Sequence, residues 1–390
     1  MQWLPPSERE AALVWGRASE PGDQAAATLV AACGFRRAFE LVAGGVSGQE
    51  AAALTSAATP VQWERALTRW RTRLAGEDPQ RWVERDLRAL ELLGASFFYR
   101  GQEGYPSQFL DLGSAAPLGL WVRGEAGLLH SQLSVALVGA RAATGYGERV
   151  ARDLTLELCR QQPGLVAVSG GAYGIDACVH RAALAADGNT VAFLAGGVDR
   201  LYPAGNADLL QEVAEHGAVV SEMPPGAVPS RVRFLQRNRL IACAGATVVA
   251  EAAVRSGALN TATHAVNLGR SVGAVPGPAT SQQSAGCHRL IRDGATLVTS
   301  APEVLELLPA LAWELGEQAP SPDDQLLDGL DATGRMVLDA LPLRASAPLE
   351  QIAKRAALAA DETETALALL EMAGRVRRAA THPPRWTRAN

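Results

Sequence analysis

Hydrophobic positions along the chain fall into three regimes. From 7 to about 94 they recur at helical spacing, and 25–33, 36–43, 49–54 and 61–74 read as short amphipathic helices parted by Gly, Ser and Pro. Pro5-Pro6-Ser7 ahead of Glu10 has the form of a capping box. From Ala95 the pattern changes to short apolar runs rich in Val, Ala and Leu, alternating with helical stretches. Strands are expected at 95–99, 134–139, 165–169, 190–195, 218–222, 246–250 and 271–275. Helices are expected from 148, over 173–186 and 207–216, after a loop at 223–235, and near 258–268. That alternation predicts a parallel sheet covered on both faces.

The third regime opens after a Pro- and Asp-bearing stretch, 309–325, that reads as a linker. Helical segments at 333–341, 348–358 and 362–373 follow, then two Arg-rich runs, 375–379 and 385–388, that pair around Pro383-Pro384. Three helices and a hairpin suggest a winged helix, with a generic helical bundle as the plainer alternative. The expected fold class is α/β: an extended Rossmann-like parallel-sheet core, 95–308, between an N-terminal helical domain, 1–94, of sterile-alpha-motif or helix–hairpin–helix type, and a winged-helix domain, 326–390.

Charge narrows the reading. The 390 residues carry a formal net charge of −5, so any site for a polyanion has to be local. Lys354 is the only lysine, which points to a coding bias toward Arg. Cys33, Cys159, Cys178, Cys243 and Cys287 are scattered with no C-x-x-C pair, which argues against a disulfide framework or zinc site and for a reducing compartment. No signal peptide or membrane-length apolar run is visible, so a cytoplasmic location is expected.

Four constellations are candidates for chemistry. Gly139-x-Arg141-x-x-x-Gly145 follows a strand and opens a helix, leaving backbone N–H groups beside a guanidinium, a place for a phosphate or a plain structural turn. It is neither G-x-G-x-x-G nor a Walker A loop. Ser169-Gly170-Gly171-Ala172-Tyr173-Gly174-Ile175-Asp176 allows close backbone approach, and Asp176 and His180 stand four apart on one helix, fit for an internal polar contact more than for a catalytic dyad. Arg231, Arg233, Phe234, Arg237, Asn238 and Arg239 form the strongest basic patch, with no acidic residue from 223 to 250. Arginines interleaved with an aromatic suit phosphate pairing and base stacking. Glu251 directly follows a strand and is expected to accept backbone N–H groups or an arginine. Since no catalytic triad, Cys-His arrangement or metal set stands out, the residues favour a binding protein without cofactor or metal over an enzyme.

In order along the chain, Tyr105-Pro106; Val138-Gly139-Ala140-Arg141; Ser169-Gly170-Gly171-Ala172-x-Gly174-Ile175-Asp176-x-x-x-His180; Gly196-Gly197-x-Asp199-x-x-Tyr202-Pro203; Ser221-Glu222-x-Pro224-Pro225-Gly226; Phe234-x-x-Arg237-Asn238-Arg239-Leu240-Ile241; Glu251-Ala252; Val275-Pro276-Gly277; and Gly286-x-x-x-Leu290-Ile291-x-x-Gly294-Ala295 together resemble the DprA/Smf DNA-processing protein family. The resemblance implies a non-enzymatic protein that binds and protects single-stranded DNA, dimerises, and loads a RecA-type recombinase during natural transformation. It carries DNA contacts onto Gly139, Arg141, Ser169, Gly170, Gly171, Phe234, Arg237, Asn238 and Arg239, and a dimer contact onto His288, Leu290, Ile291 and Leu297. A single-strand-binding protein, and double-stranded DNA at the C-terminal domain, are further candidate partners. Two departures stand out: Tyr173 occupies a position that is basic in many relatives, and Ala140 replaces a serine. The competing resemblance is to nucleotide phosphoribohydrolases of the lysine-decarboxylase-like group, whose Pro-Gly-Gly-x-Gly-Thr-x-x-Glu is missing here.

Overall fold

Apolar runs buried on both sides place their strands in the middle of a layered structure, and here nine strands form one sheet. The structure is a computed structural model that describes residues 3–308, 332–342, 346–372, 374–379 and 384–388. The expected linker, 309–325, and the residues up to 331 lie outside these. The chain divides into two compact units, Met1–Ala312 and Trp313–Asn390.

The strands of the first unit are β1 (Ala95–Tyr99), β2 (Gly119–Gly124), β3 (Ser134–Gly139), β4 (Val166–Ser169), β5 (Asn189–Leu194), β6 (Ala218–Ser221), β7 (Ala246–Glu251), β8 (Ser271–Ala274) and β9 (Thr296–Leu297), in the spatial order β1-β2-β6-β5-β4-β3-β7-β8-β9. From β6 to β9 every neighbour is parallel, while β1 and β2 run antiparallel at one edge. β4, β6 and β7 are buried throughout, which accounts for their richness in Val and Ala. After β3 the chain steps outward through β4, β5 and β6, then returns to lay β7 on β3's other side. That reversal opens a crevice at the carboxyl ends of β3 and β7, where open α/β sheets hold ligands.

One face of the sheet is covered by α6 (Gly145–Gln161) and α7 (Ile175–Ala185), the other by α9 (Arg231–Ile241) and α10 (Gly257–Asn267), with α8 (Ala207–His216) beside α7. The N-terminal helices α1 (Glu8–Ala18), α2 (Gln24–Ala43), α3 (Gly48–Thr55), α4 (Pro60–Gly76) and α5 (Pro79–Leu93) share a core with the antiparallel edge: Trp15, Trp63 and Trp70 join Trp121, Leu194, Leu210 and Val213. The two helices expected at 25–33 and 36–43 meet at Gly34, whose φ of 80° breaks α2. α1 lies so close to β2 that a Cβ on Gly16 would overlap the Trp121 ring.

The second unit holds helices at Ala332–Ala340, Leu349–Ala356 and Ala360–Met372, and strands β10 (Ala347–Pro348), β11 (Val376–Ala379) and β12 (Arg385–Arg388), in the order β10-β12-β11. Val337, Leu341, Ile352, Leu367, Leu370 and Trp386 form its core. The two-residue β10, absent from the sequence reading, has no alternation to betray it.

Gly16→Ala is expected to destabilise the first unit by about 1–3 kcal/mol through overpacking against Trp121, read as a lower urea midpoint at unchanged slope.

Candidate functional site

The basic patch is helical where the sequence suggested a loop up to 235. Ser230, in extended conformation, caps α9 by accepting from the Arg233 amide at 3.3 Å. Helical periodicity then deals its side chains to opposite sides. Arg231, Phe234, Arg237, Asn238 and Ile241 line a cleft of about 1000 Å³, while Arg233 and Arg239 turn away from it.

On the side facing away, each arginine meets a carboxylate. Arg233 donates to both oxygens of Glu20 at 3.0 Å, and Arg73 donates to the same carboxylate at 2.7 Å. These contacts hold the Glu20 carboxyl below the usual range against the opposing effect of burial. Arg239, 3% exposed, donates to the two oxygens of Glu222 at 2.8 and 2.6 Å and to the carbonyl of Ala115 at 2.8 Å. The structure therefore takes Arg239, expected as a phosphate anchor, out of the cleft: its fork is spent inside the protein.

On the cleft side the charges stay open. Arg141 from the β3–α6 turn lies 4.8 Å above the Phe234 ring, and Arg237 lies 5.7 Å from it. Tyr202 sits 6.0 Å from the same ring, tilted by 55°. Arg200, Arg231 and Arg255 complete a lining with five arginines and a single acid, Asp176. Arg237 is 5% exposed, and among the described residues it finds no hydrogen-bond acceptor and no ion pair; its Nε is buried without a partner. Burial lowers its pKa to about 10, with the Asp176 carboxyl working the other way and Arg141 adding to the drop. A buried charge that makes no hydrogen bond is costly even with a carboxyl such as Asp176 nearby, so this guanidinium is poised for an anion.

The glycine turn after β4 supports this floor without lining it. Gly170 has no side chain because a Cβ would overlap the Arg237 guanidinium, and one on Gly171 would press on Leu210. The Ser169 hydroxyl, expected to meet a phosphate, is buried and donates to the Leu137 carbonyl at 2.7 Å. Gly139, Arg141, Phe234, Arg237 and Asn238 are thus gathered on the cleft, whereas Ser169, Gly170 and Gly171 lie off it. Asn238 donates to Asn260 at 3.2 Å and joins α9 to α10. Two tyrosines add to the surroundings: Tyr202, which no basic or glycine pattern marks, lines the cleft, and Tyr173, 49% exposed, accepts from the Gly205 amide at 3.2 Å.

Asp176 and His180 do not pair. Asp176 accepts from the Ala172 amide at 3.4 Å, and His180 Nδ1 lies 2.8 Å from Thr190 Oγ1. Burial, helped by Arg237, depresses the His180 pKa to about 3. Glu251 accepts from the Thr144 amide at 2.8 Å and its hydroxyl at 2.6 Å, so it acts as the expected acceptor for backbone N–H. Of the residues assigned to a dimer contact, the His288 ring meets the Gly277 carbonyl at 2.9 Å, Leu290 and Ile291 are half-buried against the core, and Leu297 is exposed on β9 at the sheet's parallel edge.

Comparison with known proteins shows the family. The protein-family model described as DNA recombination-mediator protein A matches residues 96–309. A putative DNA processing protein DprA of Mycobacterium tuberculosis is 43% identical over 366 residues, 92% of this chain and 89% of the relative. Protein Smf of Escherichia coli is 36% identical over 304 residues, 76% of this chain and 79% of the relative. The X-ray structure of DNA processing protein A from Streptococcus pneumoniae superposes with a TM-score of 0.62 at 29% identity, covering 79% of this chain and 99% of that one.

Two outcomes are expected. Arg239→Ala leaves the largely buried Glu222 carboxylate without its guanidinium and should cost roughly 3 kcal/mol of unfolding free energy. His180 should stay neutral in the folded state, its ring resonances not titrating between pH 8 and 5. Because its folded pKa lies below the unfolded 6.5, the stability it supports is complete above pH 6.5 and falls by up to about 1.4 kcal/mol per unit below it; the loss should vanish in His180→Gln.

Proposed function

The chain belongs to the DNA recombination-mediator protein A family, and from that premise we propose that it binds single-stranded DNA along the cleft, protects incoming DNA and loads a RecA-type recombinase onto it during natural transformation. One observation carries the DNA reading: a buried guanidinium without an acceptor, Arg237, beneath an exposed Arg141 and the Phe234 ring. Phosphates pair with Arg141 and Arg237 by charge-assisted hydrogen bonds. Phe234, flanked by Tyr202, offers a base a stacking surface that reads no particular sequence. The local cluster of arginines explains how a chain of net charge −5 takes a polyanion.

The relatives named above bear no enzyme's name, and the phosphoribohydrolase alternative is not favoured: Glu251, the nearest catalytic carboxylate, is committed to Thr144. The finer parts of the proposal are these. Residues 1–94 form a helical domain, 95–308 the DNA-binding core and 326–390 a winged helix, supported by the three helices and the β10-β12-β11 sheet. The exposed β9 edge with Leu297, and His288, Leu290 and Ile291 beside it, forms a homodimer contact. A single-strand-binding protein and duplex DNA are candidate partners, and the location is cytoplasmic.

Arg141→Ala should fold normally yet bind a labelled single-stranded oligonucleotide more weakly, lowering the slope of log affinity against log salt by about one. Phe234→Ala should cost roughly 1–3 kcal/mol of binding by fluorescence anisotropy. Unchanged affinity in both folded variants would sink the reading.

A further inference from the structure

Resting on the reading of the cleft as a DNA site, we propose that its Arg237 floor is a separate subsite for a phosphate monoester carried on a nucleoside, either the terminal nucleotide of a strand or a free nucleotide.

The floor is built rather than incidental. Arg237 is 5% exposed, lies flat where Gly170 lacks a side chain, and has its Nε buried without a partner. The surrounding structure spends its acceptors elsewhere: Glu20 and Glu222 serve Arg233 and Arg239, and Glu251 serves Thr144. Five donors held together in a water-poor place call for an anion with several oxygens. A strand-internal phosphodiester brings one charge and two free oxygens. A terminal monoester brings about −1.5 to −2 charges at neutral pH and three acceptor oxygens. The second group matches a buried guanidinium with Arg141 above it.

Depth favours the same ligand. A diester reaching the floor has to bring both neighbouring nucleotides down with it, a monoester only one. The cleft, about 1000 Å³, lies at the top of the roughly 300–1,000 Å³ range of small-ligand sites, with room for one nucleotide and its neighbour. Above the floor, Phe234 and Tyr202 offer faces for the base. The N-terminus of α10, through Ser256 and Gly257, adds favourable dipole at the opposite wall. The one carboxyl in the cleft, Asp176, is turned onto the Ala172 amide, and burial makes it easier to protonate than an exposed aspartate, which eases an anion beside it.

The test is fluorescence anisotropy of one oligonucleotide with its 5′ end as hydroxyl or phosphate, the mirrored pair at the 3′ end, and displacement by deoxyadenosine monophosphate against deoxyadenosine. A gain of about tenfold for one phosphorylated end over its hydroxyl twin is expected, or displacement by millimolar nucleotide but not nucleoside; which arm responds identifies the source. The gain should disappear in Arg237→Gln and in Gly170→Ala, whose added methyl displaces the guanidinium, so that the phosphorylated and hydroxyl-ended strands of each pair then bind with one and the same lowered affinity. Equal binding of all four strands with no displacement by the nucleotide overturns the subsite and leaves the DNA reading standing. Failure of every strand to bind overturns the DNA reading instead, and absence of thermal stabilisation of the wild-type protein by the nucleotide then overturns the subsite as well.

Discussion

A helix with four arginines in eleven residues can lie against a folded protein only if each guanidinium reaches water, a carboxylate or an aromatic face. α9 meets that constraint asymmetrically. Arg233 and Arg239 are neutralised by Glu20 and Glu222, so the helix is pinned from behind by ion pairs. Arg231 opens to the cleft, and Arg237 is buried there against Phe234 and Gly170, near Asp176 but hydrogen-bonded to none of them. Charge is thus sorted by helical phase: the acids of the surrounding chain satisfy one face and leave the other as a local field of positive potential.

The N-terminal helices take part in that sorting. Glu20 belongs to the α1–α2 connection, and Arg17 from α1 donates to Asp86 and, at 3.0 Å, to the Pro225 carbonyl in the loop before α9. The Gly22 amide reaches Glu222 at 3.4 Å. A region that reads in the sequence as a helical domain of its own therefore braces the segment carrying the cleft's arginines. Its tryptophan core continues into the sheet edge at Trp121, which lets the brace be stiff.

Beneath the cleft the polar groups are tied down one by one. Ser169 holds the end of β3 through Leu137, Thr190 links His180 to β4 through the Ala167 carbonyl at 3.0 Å, and Glu251 fixes the N-terminus of α6. Groups that look catalytic in a list of residues are here fasteners of the loops that surround the ligand edge. Arg237 Nε and His180 Nε2 are left without partners, and of these two residues only Arg237 lines the cleft, so it is the one on which the functional reading turns.

Periodicity by itself determined the architecture: the βα alternation from Ser134 to Ala274, the helical regime before it and the three helices after 331 are all visible as hydrophobic spacing, because burial on two faces or on one stripe leaves that mark locally. The glycine turns and the arginine patch were equally legible, and with them the location of the cleft. What only the tertiary structure decided is which arginines are free. Arg237 and Arg239 are two residues apart and look alike in sequence, yet two residues turn a helix by about 200°. One therefore meets Glu222, seventeen positions earlier in the chain, and the other meets the Phe234 ring with no hydrogen-bond acceptor among the described residues; a carboxylate brought in from a distant segment leaves no local signal in the sequence.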